Sequence, residues 1–255
     1  MIGARKFRRG QIGLVVTVAV VGLGWAGHAW SQANEDRRIA DSLAAMLRAG
    51  RAVISSNQDR INDPKLGPKG LDGATVLARS IDNYKQATGD DPAALDPVSR
   101  PGRLLNAEMQ AIKEVMDANQ AMINTPGTGF KGFIPAVFSR LVSEAFSRRA
   151  NGEAEMRVTA PPDLVRNRQS RPDPWEADTI KTKFQAPGWP KGQSFEARSD
   201  QAGHTVFRSA TPEYYAASCL SCHGSPKGQT DITGYPMEGA ALGDLGGVIS
   251  IKLIH

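Results

Sequence analysis

The chain has 255 residues, 40% of them hydrophobic and 22% charged, with 26 Gly, 16 Pro and 6% aromatics, a composition that excludes a disordered chain, a collagen-like repeat and a multi-span membrane protein. The roughly 220 residues after the N-terminal segment are enough to bury a sizeable core without disulfide staples. The formal net charge is +5, but residues 1–33 hold Arg5, Lys6, Arg8 and Arg9 and no acid, which leaves the remainder near neutral and without the clustered basic excess that nucleic-acid binding needs.

The basic cluster is followed by a stretch without charge from Ile12 to Trp30 and then by the polar run Ser31-Gln32-Ala33-Asn34-Glu35-Asp36. This order matches a secretory signal cleaved after Ala33, or an uncleaved anchor just long enough to span a bilayer, with the basic end kept in the cytoplasm. Residues 1–33 are therefore expected to be a signal peptide or membrane anchor. Residues 34–255 are expected in the periplasm as a single domain, soluble or held at the inner membrane through residues 11–30.

Glu35 to about Asn62 carries Ile39, Leu43, Met46, Leu47, Val53 and Ile54 near helical spacing, and Asp63-Pro64 stops it. Leu71 to Ala87 and Leu104 to Ile123 predict two more helices, separated by a loop rich in Gly, Asp and Pro. Pro135 suits a first helical position, and Ile134, Val137, Phe138, Leu141, Val142, Ala145 and Phe146 form an unbroken apolar stripe, either plain core or one wall of a cofactor pocket.

Beyond Gly152 the period changes to two. Glu155 to Thr159, Ser194 to Arg198 and Thr205 to Arg208 alternate, the last two joined through Ser199 to Gly203 as an antiparallel hairpin, and Gly247 to Leu253 forms a final strand. Between them, Asp173-Pro174-Trp175-Glu176 combines an N-cap, Pro at N1 and Glu at N3, so a short helix should run to about Phe184. Helices followed by an antiparallel sheet make the fold class α+β.

The chain's two cysteines fall within Cys219-Leu220-Ser221-Cys222-His223-Gly224. Two thiols three apart with His directly after them form the c-type haem attachment pattern: each sulfur can form a thioether with one vinyl group, and the imidazole follows as the proximal iron ligand. A short disulfide and a Cys2His zinc site compete with this reading, the latter one ligand short. A thioredoxin-like redox pair does not fit, because no parallel β/α alternation surrounds the motif.

Four segments carry a resemblance: Lys131 to Phe138; Arg166-Asn167 through Pro172-Asp173-Pro174-Trp175-Glu176; the cysteine motif; and Thr233-Gly234-Tyr235-Pro236-Met237-Glu238-Gly239 through Leu242 to Ser250. Together they are similar to a bacterial family of exported c-type haem proteins, first catalogued as a domain of unknown function, over roughly residue 34 to the C-terminus. The resemblance implies a PAS-like antiparallel sheet flanked by long helices, one covalent haem c, and a role in redox or small-ligand sensing or in electron transfer. In relatives the domain also precedes signalling modules. The final strand here leaves no room for a kinase, a receptor coiled coil or a cyclase, so output is expected through a separate redox or signalling protein partner.

The sixth iron ligand stays open. His28 lies in the export segment and His255 is terminal, leaving His204 at the hairpin turn, Met237 in a Gly/Pro loop, or an open position. The preferred reading of Met237 is an apolar plug at the haem edge. Tyr215 is expected against the macrocycle, one of the adjacent pair Tyr214 and Tyr215 being buried. Arg166, Arg168 and Arg171 suit haem propionates, although at least two of the three are expected in a solvated loop, and Asp244 reads as a turn residue. With no catalytic set of residues to nominate, a non-catalytic haem protein is expected, a peroxidase-like haem enzyme with an open distal site being the alternative.

Overall fold

The computed structural model describes the backbone from Ala19 and the side chains from Ser31 to His255, so most of the expected export segment lies outside the described residues. Contacts divide the chain into residues 1–35 and residues 36–255, and the sheet and the helices from residue 36 onward belong to the second unit. Among the described residues no helix is long and apolar enough to cross a membrane.

Four strands, β1 (Ala154–Thr159), β2 (Phe195–Gln201), β3 (His204–Tyr214) and β4 (Leu245–Ile254), pair antiparallel in the order β1-β4-β3-β2. The register sets the two faces. Phe207 pairs with Leu253, Ser209 with Ile251 and Thr211 with Ile249, while Met156 joins Ile251 from β1. Successive side chains alternate across a strand, so these residues share one face.

On that face the apolar sides of α1 (Ala19–Ser56), α3 (Gly73–Thr88), α4 (Arg100–Ala118) and α6 (Pro135–Arg149) join one cluster, with α6 against β1 and α3 packed on α4. Leu43, Leu47, Ile54, Ile112, Phe138 and Phe146 are buried with Phe207 and Ile249 in one cluster, so the α6 stripe is plain core. The opposite face, with Ala210 and Val248, packs on Ile180 and Phe184 and on Trp175, Trp189 and Phe195. The α+β class is as expected.

Local chemistry decides the helix ends. Pro135 takes the first position of α6, and Asp173 and Glu176 close a capping box on α7 (Pro174–Thr179), which continues as a π turn over Ile180–Phe184. Two helices expected as continuous are interrupted, and in the same way. The Asn57 amide donates to the Val53 carbonyl 2.7 Å away, splitting α2 (Gln58–Asn62) from α1; the Asn119 amide does the same to Val115 at 2.7 Å, splitting α5 (Gln120–Asn124) from α4. Asparagine that bonds back to the preceding turn competes with the main-chain ladder. β3 outruns the expected Thr205 to Arg208 because β4 pairs with it as far as Tyr214, whereas β2 ends opposite Ala210 and leaves Pro212 outside the doubly paired part of the strand.

One residue breaks the apolar logic of α4. Glu108 is fully enclosed, and neither carboxylate oxygen has a hydrogen-bond partner among the described residues. Burial pushes its carboxyl well above the usual glutamate range. As pH rises, the unfolded chain gives up this proton while the folded chain keeps it, so stability is full at acid pH and declines as pH climbs from the unfolded value toward the folded one. Glu108→Gln should flatten that decline, and Glu108→Met should raise stability at neutral pH by about 1–3 kcal/mol by removing the unpartnered oxygens. Urea unfolding of the three proteins across a pH series checks both; a slope unchanged in Glu108→Gln assigns the decline to another group.

Candidate functional site

β3 leads directly into the cysteine motif. After Tyr214 the chain passes Tyr215, turns through a 3-10 segment (Ala217–Cys219) and makes a single helical turn, α8 (Leu220–His223). Cys219 and Cys222 are unbonded thiols of intermediate exposure. The turn is closed by the Gly224 N–H, which donates to the Leu220 carbonyl at 2.9 Å; a Cβ on Gly224 would lie 2.5 Å from that oxygen, so the residue after His223 must be glycine.

Two rings face each other next. Tyr215 is 8% exposed and stacks on the His223 imidazole, with centroids 4.8 Å apart and planes at 26°. Its main chain is pinned on both sides, N–H to the Asp244 carbonyl and carbonyl to the Gly243 N–H, each at 2.9 Å. The ring also lies against Gly246, where a Cβ would come within 2.5 Å of Tyr215 Cε1. Burial, and after it the Glu238 charge, raise the Tyr215 hydroxyl to about 12, so it stays protonated at neutral pH.

His223 Nδ1 lies 2.9 Å from Glu238 Oε2, and the Tyr215 hydroxyl stands 3.3 Å from the same nitrogen. An ionised carboxylate only accepts, so Nδ1 carries the proton, and in the neutral imidazole the lone pair is then on Nε2. Burial works to raise the Glu238 carboxyl, and the bonds from Arg166 and His223 outweigh it and hold it below the usual range.

Arg166 anchors Glu238 through two bonds, Nε to Oε1 at 2.8 Å and Nη2 to Oε2 at 3.0 Å. The same guanidinium donates to Asp231 Oδ2 at 2.6 Å and to the Cys222 carbonyl at 2.8 Å. Asp231, with no exposed side-chain surface, also accepts from the Thr233 N–H at 2.7 Å and the Thr233 hydroxyl at 2.6 Å. Burial pushes its carboxyl upward, but the bonds from Thr233 and Arg166 prevail and take it far below the aspartate range. The loop is strapped to the motif by the Gly239 N–H on the Gly224 carbonyl at 2.9 Å and the Ala240 N–H on the His223 carbonyl at 2.8 Å.

On its other side the motif meets α1. Arg48 and Arg51 both donate to Glu213, two residues before Tyr215, and Ser55 Oγ lies 3.2 Å from Ser218 Oγ. Burial, reinforced by Arg48, lowers the Arg51 guanidinium to about 10.

The structure thus brings Cys219, Cys222, His223 and Tyr215 together. Met237 is buried beside Glu238, with main-chain bonds to Gln229 and Gly228. His204 begins β3, ten residues and about 33 Å of extended strand before Tyr214, which places it away from the motif. Arg166 is occupied by carboxylates of the chain itself, and Arg168 and Arg171 are exposed. Asp244 is a turn residue, accepting from the Ala241 N–H at 2.8 Å. Among the described residues no group of three or more His, Cys, Asp or Glu is arranged to hold a metal ion, which leaves the zinc reading without a cage.

Sequence reasoning missed Glu238, Asp231 and Gly246. Asp231-Ile232-Thr233 had a readable signal, an acid two residues before a hydroxyl in a Gly/Pro loop, the pattern of an Asx turn.

The Tll0287-like family model covers residues 33–253, and the chain belongs to that family. No curated protein matches the chain, and no solved structure does.

The Arg166–Asp231 pair carries a prediction. Because the folded carboxyl is depressed, its stabilisation is full above the ordinary aspartate value of 3.8 and is lost as pH falls toward the depressed one. Asp231→Asn should lower stability at neutral pH by about 2 kcal/mol, the order of a hydrogen bond to a charged group, and flatten the acid limb. Thermal melts from neutral to acid pH measure both; an acid limb as steep as in the parent protein would place the loss elsewhere.

Proposed function

We propose that this member of the Tll0287-like family is a periplasmic c-type haem protein, with one haem joined to Cys219 and Cys222 and its iron held by His223, acting as a redox or ligand sensor. The observation that carries the reading is the arrangement of the motif: two unbonded, partly exposed thiols one helical turn apart, followed by an imidazole whose Nδ1 is held by Glu238 so that Nε2 is left for a metal. A metal-binding histidine commonly gives its other N–H to a carboxylate in this way. When bound, the group supplies a one-electron iron couple and a coordination position that a small ligand can compete for.

The chain's own residues do the rest. Tyr215 stacks on the imidazole and Gly246 backs Tyr215, which fixes the ring plane. Glu213, bound by Arg48 and Arg51, ties the segment ahead of the motif to α1, and this tie favours sensing, since a displacement at His223 has a path through Tyr215 and Glu213 to a long helix. The partial exposure of both cysteines favours electron transfer as the second reading, because a carrier needs an accessible edge. On either reading the output goes to a separate redox or signalling protein. A PAS-like description of the domain is consistent with a four-stranded antiparallel sheet whose helices gather mainly on one face.

The protein matured in a haem-attaching periplasm should show an intact mass above that of the polypeptide by one haem. Cys219→Ala and Cys222→Ala should weaken attachment, and His223→Ala should lose the ligation spectrum of the parent. A bare polypeptide mass under those conditions refutes the haem reading, and steady multiple turnover of peroxide, lost in His223→Ala, replaces the sensor by a peroxidase-like enzyme.

Export rests on the sequence of the first 33 residues. Replacing Val15 and Val18 with Asp should leave the polypeptide in the cytoplasm without haem, read by cell fractionation and haem staining. Haem-loaded protein in the cytoplasmic fraction contradicts it.

A further inference from the structure

The His223 ring has two nitrogens, and only one can serve a metal. Its Nδ1 faces a carboxylate, and that carboxylate is not a loose surface group. Glu238 is fixed by a two-point bond from Arg166, whose remaining donors go to the buried Asp231 and to the Cys222 carbonyl. The guanidinium therefore measures Glu238 against the main chain next to His223, so acid and ring are positioned from one rigid point. Stacking on Tyr215 removes rotation of the ring about its own axis.

We infer that Glu238 is the positioning residue of the site: it holds His223 as the Nδ1–H tautomer and, through a charge-assisted bond, makes Nε2 an electron-rich donor that favours the higher oxidation state of a bound metal. This deepens the haem reading and rests on it for the redox part; the tautomer part stands on the polypeptide alone.

The physical reason is the sign of the charge. A carboxylate accepting from Nδ1 draws the proton toward itself and pushes electron density to Nε2. A metal on Nε2 carries one more positive charge when oxidised than when reduced, so it gains more from that density in the oxidised state and its reduction potential falls. A neutral acceptor of the same shape keeps the orientation and loses the push. Charge and geometry can thus be separated, because Glu238→Gln retains an oxygen that can accept from Nδ1, whereas Glu238→Ala retains nothing.

Asp231→Asn serves as the structural control. It removes an anchor of Arg166 without touching Nδ1, so a merely structural role for the network predicts the same effects from all three variants.

Two measurements test the inference. In the full chain made without the haem-attachment machinery, nitrogen-15 NMR at mildly alkaline pH should show His223 as the Nδ1–H tautomer in the parent and in Glu238→Gln, and a mixture dominated by Nε2–H in Glu238→Ala. In the haem-loaded protein, redox titration should show the midpoint raised in Glu238→Gln by at least tenfold in the reduction equilibrium, about 59 mV for one electron, with a lower iron–histidine stretching frequency by resonance Raman, while Asp231→Asn stays near the parent. An unchanged tautomer in Glu238→Ala overturns the positioning role whether or not haem attaches. A midpoint and stretching frequency unchanged in Glu238→Gln overturn the electronic role while leaving the haem reading intact. Failure of the parent to take up haem at all overturns the haem reading and the electronic role with it, and the tautomer result then decides the positioning role.

Discussion

Arg166 is the constraint on which the motif region depends. Its guanidinium joins three segments distant in sequence: its own loop after β1, the cysteine turn through the Cys222 carbonyl, and the loop of Asp231 and Glu238. That region has little apolar cohesion of its own. Tyr215 and Met237 are buried, but Ile232 and Leu242 are 64% and 69% exposed. A segment that cannot bury enough apolar surface must be fixed by polar contacts, and a largely enclosed guanidinium with every partner in place can do so, because its charge is matched by two carboxylates and its donors are used. The same completeness makes the network sensitive to loss of its centre, since removing Arg166 strands two carboxylates.

The sheet supplies the frame from which this network hangs. β3 is paired on both sides through its middle and runs from an exposed start at His204 to Tyr214, so the motif emerges from its best-held strand. At that exit Glu213 receives Arg48 and Arg51, while further back Arg37 binds Glu196 and Arg198 binds Asp36. α1 is thus tied to β2, β3 and the motif by charged side chains along one side while its apolar side packs with Phe207 and Ile249. Apolar packing tolerates small sliding, whereas paired charges fix register. The sheet and the segment leading into the motif are therefore held in register with α1 over residues 36–55.

How much of this was legible in the sequence follows from the range of each interaction. The stripe from Ile134 to Phe146, the Asp173–Glu176 capping box and the alternation of β1 and β4 are local patterns, and they predicted the elements the structure contains. The breaks at Asn57 and Asn119 were missed because helical periodicity runs straight through them, and only the side-chain bond to the preceding turn reveals them. The full length of β3 was missed because Pro212 reads as a stop in isolation and is tolerated only where β2 has already ended. Cys219, Cys222 and His223 stand out in the sequence by their spacing alone, and the structure places them on one turn. Glu238 does not, since it meets Arg166 across 72 positions and His223 across 15, and no period or spacing rule connects such pairs.

The electrostatics of the motif differ from one side to the other. Behind His223 stand Glu238 and Asp231 against a single Arg166, a net negative environment beside Nδ1. Tyr215, its hydroxyl raised to about 12, adds no charge there. On the side of Cys219 stand Arg48 and Arg51, both bound to Glu213, with Asp41 also acting on Arg48, so the charges there are balanced, and Arg51, lowered only to about 10, remains cationic at neutral pH. A cation placed on the free nitrogen of His223 is favoured by the charge behind the ring, while the balanced α1 side neither favours nor opposes a charged group. The negative charge behind His223 and the spacing of the two cysteines are thus separate features, and both support the metal-bearing group proposed for the site.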